Sequence, residues 1–154
     1  MTAGPAAAPA SEPYWNPRRL ALFRRLFLLA LLITLVALLT PASKVLAFKV
    51  WAASWLPWAG AMDRMNLGSQ SDKLVHFSLF LLLGALAARS WPHAAGRRWA
   101  WLGLFLLGCL TEWLQQFVPG RGASVFDLAA DVAGASLGLW WRRKEAVRPV
   151  GGPA

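Results

Sequence analysis

The segment that decides the fold is 112–131, with the sequence EWLQQFVPGRGASVFDLAAD. It joins two apolar segments, yet it contains three carboxylates, Glu112, Asp127 and Asp131, and two glutamines. A charged side chain at membrane depth costs about 2.5–3.5 kcal/mol on insertion scales and usually faces the interior of a helix bundle. The segment therefore predicts a helical hairpin with a polar site at one face of a small membrane protein.

The composition points to the same class of protein. Of the 154 residues, 57% are hydrophobic, above the roughly 45–50% that is usual in soluble domains. The ten tryptophans fit interfacial anchors, and the net charge of +9 comes from arginines clustered beside apolar runs. Basic flanks of membrane spans explain that charge better than a nucleic-acid partner does. The single cysteine, Cys109, lies in an apolar run and allows no internal disulfide.

Hydropathy predicts an all-α domain over residues 21–141 with four transmembrane helices. A disordered cytoplasmic tail is predicted before it, at 1–20, and a basic, flexible cytoplasmic tail after it, at 142–154. The predicted spans cover 26–43, ending near Pro41, then 71–88, 99–117 and 124–141.

Residues 44–71 form the longest connection between spans. Val45, Phe48, Ala52 and Trp55 recur at helical spacing, which predicts a short interfacial amphipathic helix, with a loop at 62–71. A cleaved signal peptide is the competing interpretation of the first span, because a cleavage-like sequence follows it at 45–47. A retained helix is favoured, since the basic region sits behind a long Ala/Pro tail.

Basic residues predict the orientation of the spans. Four lie before the first span, three at 89–98 and four after 141, whereas the other side holds five. The positive-inside rule therefore places both termini in the cytoplasm and the hairpin 112–131 outside.

Polar residues from three regions are predicted to meet at the outward end. Asp72 and His76 are four residues apart and share a helix face. Asp127 and Asp131 share a face with a G-x-x-x-G pair, Gly134 and Gly138, which favours close helix contact. The predicted ligand-binding residues are Asp72, Lys73, His76, Glu112, Gln115, Gln116, Arg121, Ser124, Asp127 and Asp131.

Each of these residues also has a structural explanation. Ser124-x-x-Asp127 fits a capping box, and Arg121 could pair with an acid across the hairpin. The glutamines could form interhelical hydrogen bonds. Capping does not explain Asp131, one turn further in, or Glu112, near a helix C-terminus where the dipole disfavours anions.

Three chemistries suit the predicted cluster. In ligand binding, Arg121 and Lys73 would receive a phosphate or carboxylate. In acid–base catalysis, Glu112, Asp127 and His76 are the candidate catalytic groups. A divalent metal is the third, but no H-x-x-x-H or H-E-x-x-H spacing is present, so no metal and no cofactor is predicted.

The polar motifs resemble those of the VanZ-like family of small bacterial integral membrane proteins. They are Asp72-Lys73-Leu74-Val75-His76-Phe77, Glu112-x-x-Gln115, Pro119-Gly120-Arg121 and Ser124-x-x-Asp127-x-x-x-Asp131-x-x-Gly134, within residues 26–141. Many family members carry Asn where this chain has Asp131.

The resemblance implies a multi-pass protein of the bacterial inner membrane. The family is named for a protein linked to teicoplanin resistance. The leading hypothesis is an outward polar pocket that binds a lipid-linked or glycan-type envelope ligand, or shields it from a glycopeptide antibiotic such as teicoplanin. A membrane-embedded hydrolase or transferase, and an accessory subunit with a structural polar cluster, are the alternatives. The sequence leaves the oligomeric state open.

Overall fold

A computed structural model describes residues 16–55 and 68–141, which form five α-helices. No strand occurs in these two ranges, so the predicted all-α fold is confirmed. The structure does not describe residues 1–15, 56–67 and 142–154. Most of the two predicted tails therefore lies outside the described residues. The helices are α1 (Pro17–Leu39), α2 (Ala42–Ser54), α3 (Gly68–Ser90), α4 (Ala94–Gln115) and α5 (Val125–Trp141).

Two of the helices are long and apolar enough to cross a membrane, Pro17–Leu39 and Asp72–Ser90. Helix α4 carries two arginines in its first turns and Glu112 near its end, which lower its hydropathy. Helix α5 has 17 residues, fewer than the ~20 of a typical span, and contains two aspartates. These two candidate spans support a membrane protein. They do not by themselves show the four spans that the sequence predicts.

The boundaries of α1 follow from its end residues. The Asn16 side chain accepts a hydrogen bond from the Arg18 N–H at 2.9 Å, and Pro17 occupies the first helical position. The helix therefore includes residues 17–20, which the sequence prediction assigned to the tail. It ends at Leu39, just before Pro41, as predicted.

The starts of α3 and α4 differ from the prediction. Helix α3 begins at Gly68, so residues 68–71 are helical, where a loop was predicted. Helix α4 begins at Ala94, so Arg97 and Arg98 lie in its first turns, whereas the third predicted span starts only at residue 99. Apolar periodicity begins only after these polar turns, so hydropathy places both starts too late.

Helix α2 is present where a short helix was predicted. Its apolar side chains Leu46, Phe48 and Trp51 are each more than half exposed, as is Trp55 just beyond it. Such exposed aromatic surface fits a helix at a membrane interface, and that location stays a prediction.

Helix α3 lies at the centre of the bundle, in contact with α1, α4 and α5. Its side chains Phe80, Leu83 and Ala87 are fully buried and pack with core residues of the other three helices. At one end of the bundle, Phe27 and Trp91 stack edge to face with 5.2 Å between ring centroids. The N-terminal part of α1 therefore meets the C-terminal end of α3, and these two helices run antiparallel.

Helices α3 and α5 run parallel and touch through their backbones. A methyl group at Gly134 would overlap the carbonyl oxygen of Phe77, and one at Gly138 would overlap that of Leu81. A methyl group at Gly84 would meet the carbonyl oxygen of Ala135. The predicted close contact at the G-x-x-x-G pair is confirmed, because no side chain fits between the two backbones.

We expect Gly134→Ala to lower the free energy of unfolding by about 1–3 kcal/mol, because the added methyl group forces the two helices apart. Unfolding of the purified protein in mixed detergent micelles measures the change. Gly103→Ala is the matched control, since a Cβ there meets no atom within 4 Å. Equal stabilities of the two variants would contradict the close approach.

Candidate functional site

Four titratable side chains from three helices converge at one end of the bundle. His76 comes from α3, Glu112 from α4, and Asp127 and Asp131 from α5. His76 Nδ1 lies 3.0 Å from Asp131 Oδ1 and 3.7 Å from Glu112 Oε1. His76 and Asp131 are each 1% exposed and Glu112 is 6% exposed, so the centre of this acid–histidine cluster is closed to water.

Glu112 joins the end of α4 to the start of α5. Its Oε2 accepts a hydrogen bond of 2.6 Å from the Ser124 N–H. Ser124 Oγ accepts one of 3.3 Å from the Asp127 N–H. In a capping box Asp127 would accept the Ser124 N–H, but here Glu112 does so, and the predicted box is only half formed. The Asp127 carboxylate instead faces Lys73, with 3.8 Å between Oδ1 and Nζ.

The acid–histidine cluster contains polar atoms with unused hydrogen-bonding capacity. Within the described part of the chain, no hydrogen bond reaches His76 Nε2, Glu112 Oε1, Asp127 Oδ1 or Asp131 Oδ2, all of which are buried. A buried polar group left unsatisfied costs about 1–3 kcal/mol. Four such atoms in one cluster favour a bound group or shared protons as their partner.

Gln115 and Arg121 contact the end of α1. The last carbonyls of a helix have no partner within the helix. Gln115 Nε2 donates to the Leu38 carbonyl at 3.0 Å. Arg121 donates to the carbonyls of Thr40 at 3.3 Å and Ala37 at 3.5 Å. These two side chains therefore cap α1, and for Arg121 this contact takes the place of the acid pair considered above.

A cavity of about 340 Å³ opens between α1, α2 and α3. Its walls are mostly apolar, and two basic side chains, Lys44 and Arg121, lie among them. His76 belongs to both the cavity wall and the acid–histidine cluster, so the two features adjoin. The lining residues are Ala37, Thr40, Lys44, Val45, Phe48, Asp72, Val75, His76 and Arg121.

The structure brings most of the predicted site residues to this end of the bundle, in three groups. His76, Glu112, Asp127 and Asp131 form the acid–histidine cluster, with Lys73 and Ser124 beside it. Asp72 and Arg121 line the cavity. Gln115 is buried against α1, whereas Gln116 is exposed.

Sequence reasoning missed the part of the cavity formed by α1 and α2. Ala37 and Thr40 lie in the first predicted span, and Lys44, Val45 and Phe48 lie in the predicted interfacial helix, and none of these residues is among the predicted site residues. One signal could have found them. A helix that ends before Pro41 leaves carbonyls that require donors, and Gln115 and Arg121 are donors at the same end of the bundle.

We expect Asp131→Ala to lower the free energy of unfolding by about 1–3 kcal/mol, because it leaves the buried His76 Nδ1 without its acceptor. Asp131→Asn keeps an acceptor oxygen at the same position and should cost clearly less. Unfolding in detergent micelles compares the two variants. If Asp131→Ala is as stable as Asp131→Asn, the hydrogen bond to His76 contributes nothing.

Comparison with known proteins identifies the family. The model of the family described as VanZ/LLP1 matches residues 11–143, which includes all five helices and the whole site. No curated protein and no solved structure matches the chain. The chain belongs to the VanZ-like family, as its polar motifs predict.

Proposed function

We propose that the protein binds an amphiphilic envelope ligand with an anionic headgroup, such as a lipid-linked precursor, in the cavity between α1, α2 and α3. The observation that carries the proposal is the lining of this cavity. Val45, Phe48 and Val75 offer an apolar wall to a lipid chain. Lys44 and Arg121 offer positive charge to a phosphate and outnumber the one acid of the lining, Asp72. The volume of about 340 Å³ lies at the lower end of the range usual for ligand pockets, about 300–1,000 Å³.

The position of the cavity along the helices supports a ligand that stays partly in the bilayer. Lys44 lies in the first turn of α2, five residues beyond the end of α1, a candidate span. The exposed rings of Phe48 and Trp51 follow on α2, and that of Trp55 lies just beyond its end. Aromatic and lysine side chains at the end of an apolar helix are typical of the membrane–water interface, where lipid phosphates lie.

The proposal includes a topology in which α1, α3, α4 and α5 all cross the bacterial cytoplasmic membrane. The antiparallel packing of α1 against α3 supports it, as does the excess of basic residues at the ends of the bundle away from the cavity. Both termini would then be cytoplasmic, and the cavity would open outward. A glycan attached to the ligand would extend into the aqueous space.

Shielding a lipid-linked precursor would connect the protein with teicoplanin resistance, to which the protein that gives the family its name is linked. Glycopeptide antibiotics act outside the cytoplasmic membrane, on the side where the cavity opens in the proposed topology. Resistance would then depend on Lys44 and Arg121.

A membrane-embedded hydrolase or transferase is the second candidate, favoured by one observation. The buried carboxylates of Glu112 and Asp131 lie 3.7 Å and 3.0 Å from Nδ1 of the buried His76, a suitable arrangement for proton transfer. In that case a polyprenyl diphosphate added to the protein would be cleaved, and Glu112→Gln would stop cleavage while leaving binding intact. In the third candidate, an accessory subunit, Glu112→Gln would reduce the amount of folded protein instead.

The proposed topology places the α4–α5 loop outside the cell and the start of α4 inside it. A membrane-impermeant thiol reagent applied to intact cells distinguishes these two locations. In a Cys109→Ser background, Gly122→Cys should be labelled from outside, because this exposed position lies in the α4–α5 loop with open space around it. Ala95→Cys, at the start of α4, should react only after the cells are opened. Labelling of both positions from outside would rule out the four-span topology.

The proposed ligand class predicts that Lys44→Gln weakens the binding of polyprenyl phosphate about tenfold, since it removes one charge-assisted contact. Titration of the purified protein in detergent micelles, followed by native mass spectrometry, measures the affinity. Arg25→Gln, an exposed basic residue of α1, is the charge-matched control. Uncharged polyprenol should bind weakly to the wild type, and inorganic phosphate tests whether the headgroup alone suffices. Equal affinities for polyprenol and its phosphate would contradict the proposal.

A further inference from the structure

Three side chains of the acid–histidine cluster are close enough to share one cation. His76, Glu112 and Asp127 each offer one ligand atom, and these atoms all lie within 4.8 Å of one another. They come from three different helices, and their positions in the chain, 76, 112 and 127, follow no metal-binding spacing. The juxtaposition therefore exists only in the folded protein.

The unused atoms of these side chains point to a cation as their partner. Glu112 Oε1 is buried, has no hydrogen bond from the described residues, and faces the His76 ring with 3.7 Å to Nδ1. Asp127 Oδ1 is also buried without a hydrogen bond, and its ion-pair partner Lys73 lies at 3.8 Å on a side chain that is 42% exposed. Buried carboxylates require nearby positive charge, and the partly exposed ammonium of Lys73 is paired with Asp127 at the edge of the cluster.

We infer that His76, Glu112 and Asp127 bind a divalent transition metal such as Zn²⁺ or Mn²⁺. One imidazole nitrogen and two carboxylate oxygens form a mixed donor set that suits these ions better than Mg²⁺ or Ca²⁺, which prefer oxygen donors alone. Three protein ligands also leave a coordination position for water or another ligand.

The surroundings of the three side chains hold them in place for this role. Asp131 Oδ1, 3.0 Å from His76 Nδ1, accepts the Nδ1–H and fixes the orientation of the imidazole ring, as carboxylates commonly do behind metal-bound histidines. His76 Nε2, which is buried and has no hydrogen bond from the described residues, is then the ring nitrogen that binds the ion. The Ser124 N–H binds Glu112 Oε2 and so fixes that carboxylate with Oε1 turned to the cluster. The side chain of Asp127 is 14% exposed, so an ion from solvent can reach the cluster at this residue.

This metal site goes beyond the proposed function and does not depend on it. The cation would lie in the acid–histidine cluster, whereas the amphiphile is proposed to lie in the adjoining cavity, which shares only His76 with the three metal ligands. Metal binding is measured with the ion alone, so a failure of lipid binding and a failure of metal binding are separate results.

The test uses the tag-free, full-length protein in detergent micelles after removal of metals with a chelator. Titration with Zn²⁺ and with Mn²⁺ by calorimetry, checked by elemental analysis, should give one ion per chain for at least one of the two metals. Asp127→Asn and His76→Gln should each weaken binding at least tenfold. His93→Gln, which changes the other histidine at the N-cap of α4, should bind the metal as the wild type does.

Two results would overturn the inference. The first is a wild-type protein that takes up neither ion in stoichiometric amount. The second is equal loss of binding in His93→Gln and His76→Gln, which would place the ion elsewhere. Because Asp127 lies at the partly exposed edge of the cluster, Asp127→Asn remains informative if His76→Gln does not fold.

Discussion

The contact between the backbones of α3 and α5 is the constraint on which the rest of the structure depends. Gly134 of α5 lies against the Phe77 carbonyl of α3. His76 directly precedes Phe77 on α3, and Asp131 lies almost one turn before Gly134 on α5. With the helices this close, the ring and the carboxylate meet at 3.0 Å. A larger residue at Gly134 would widen the gap and separate the pair, so packing and site geometry are coupled.

The polar end of the bundle is organised by the need to satisfy groups that a helix cannot satisfy itself. The last carbonyls of α1 accept from Gln115 and Arg121, and the first N–H groups around α5 are bound by Glu112 and Ser124. These contacts tie the α4–α5 hairpin to the end of α1. They also place Arg121 at the wall of the cavity, so the same side chain caps the C-terminal end of α1 and contributes a positive charge to the cavity.

Two chemical environments adjoin at His76. One is a mostly apolar cavity with two basic side chains and one acid, Asp72, in its lining, and we propose that it receives a lipid with an anionic headgroup. The other is the acid–histidine cluster, whose three carboxylates each have a buried oxygen atom without a hydrogen bond from the described residues. The chain belongs to the VanZ-like family of envelope proteins, and this membership assigns no reaction to either feature. The chemistry of this chain therefore rests on the geometry around His76.

The sequence by itself determined the features that repeat within one helix. Apolar periodicity indicated an all-α protein, Pro41 the end of α1, and the Gly134–Gly138 pair a close helix contact, because each of these signals is local. The clustering of polar residues at one end also followed, since each lies near the end of its predicted span.

Only the tertiary structure decided which partner each polar group takes. The acceptor of the Ser124 N–H is Glu112, 12 residues away, and not Asp127 within the same turn. The partners of Gln115 and Arg121 lie 77 to 84 residues away on α1, and the cavity there has no signature in any one segment. Such pairings depend on how separate helices pack against one another, and a pattern within one helix does not contain that information.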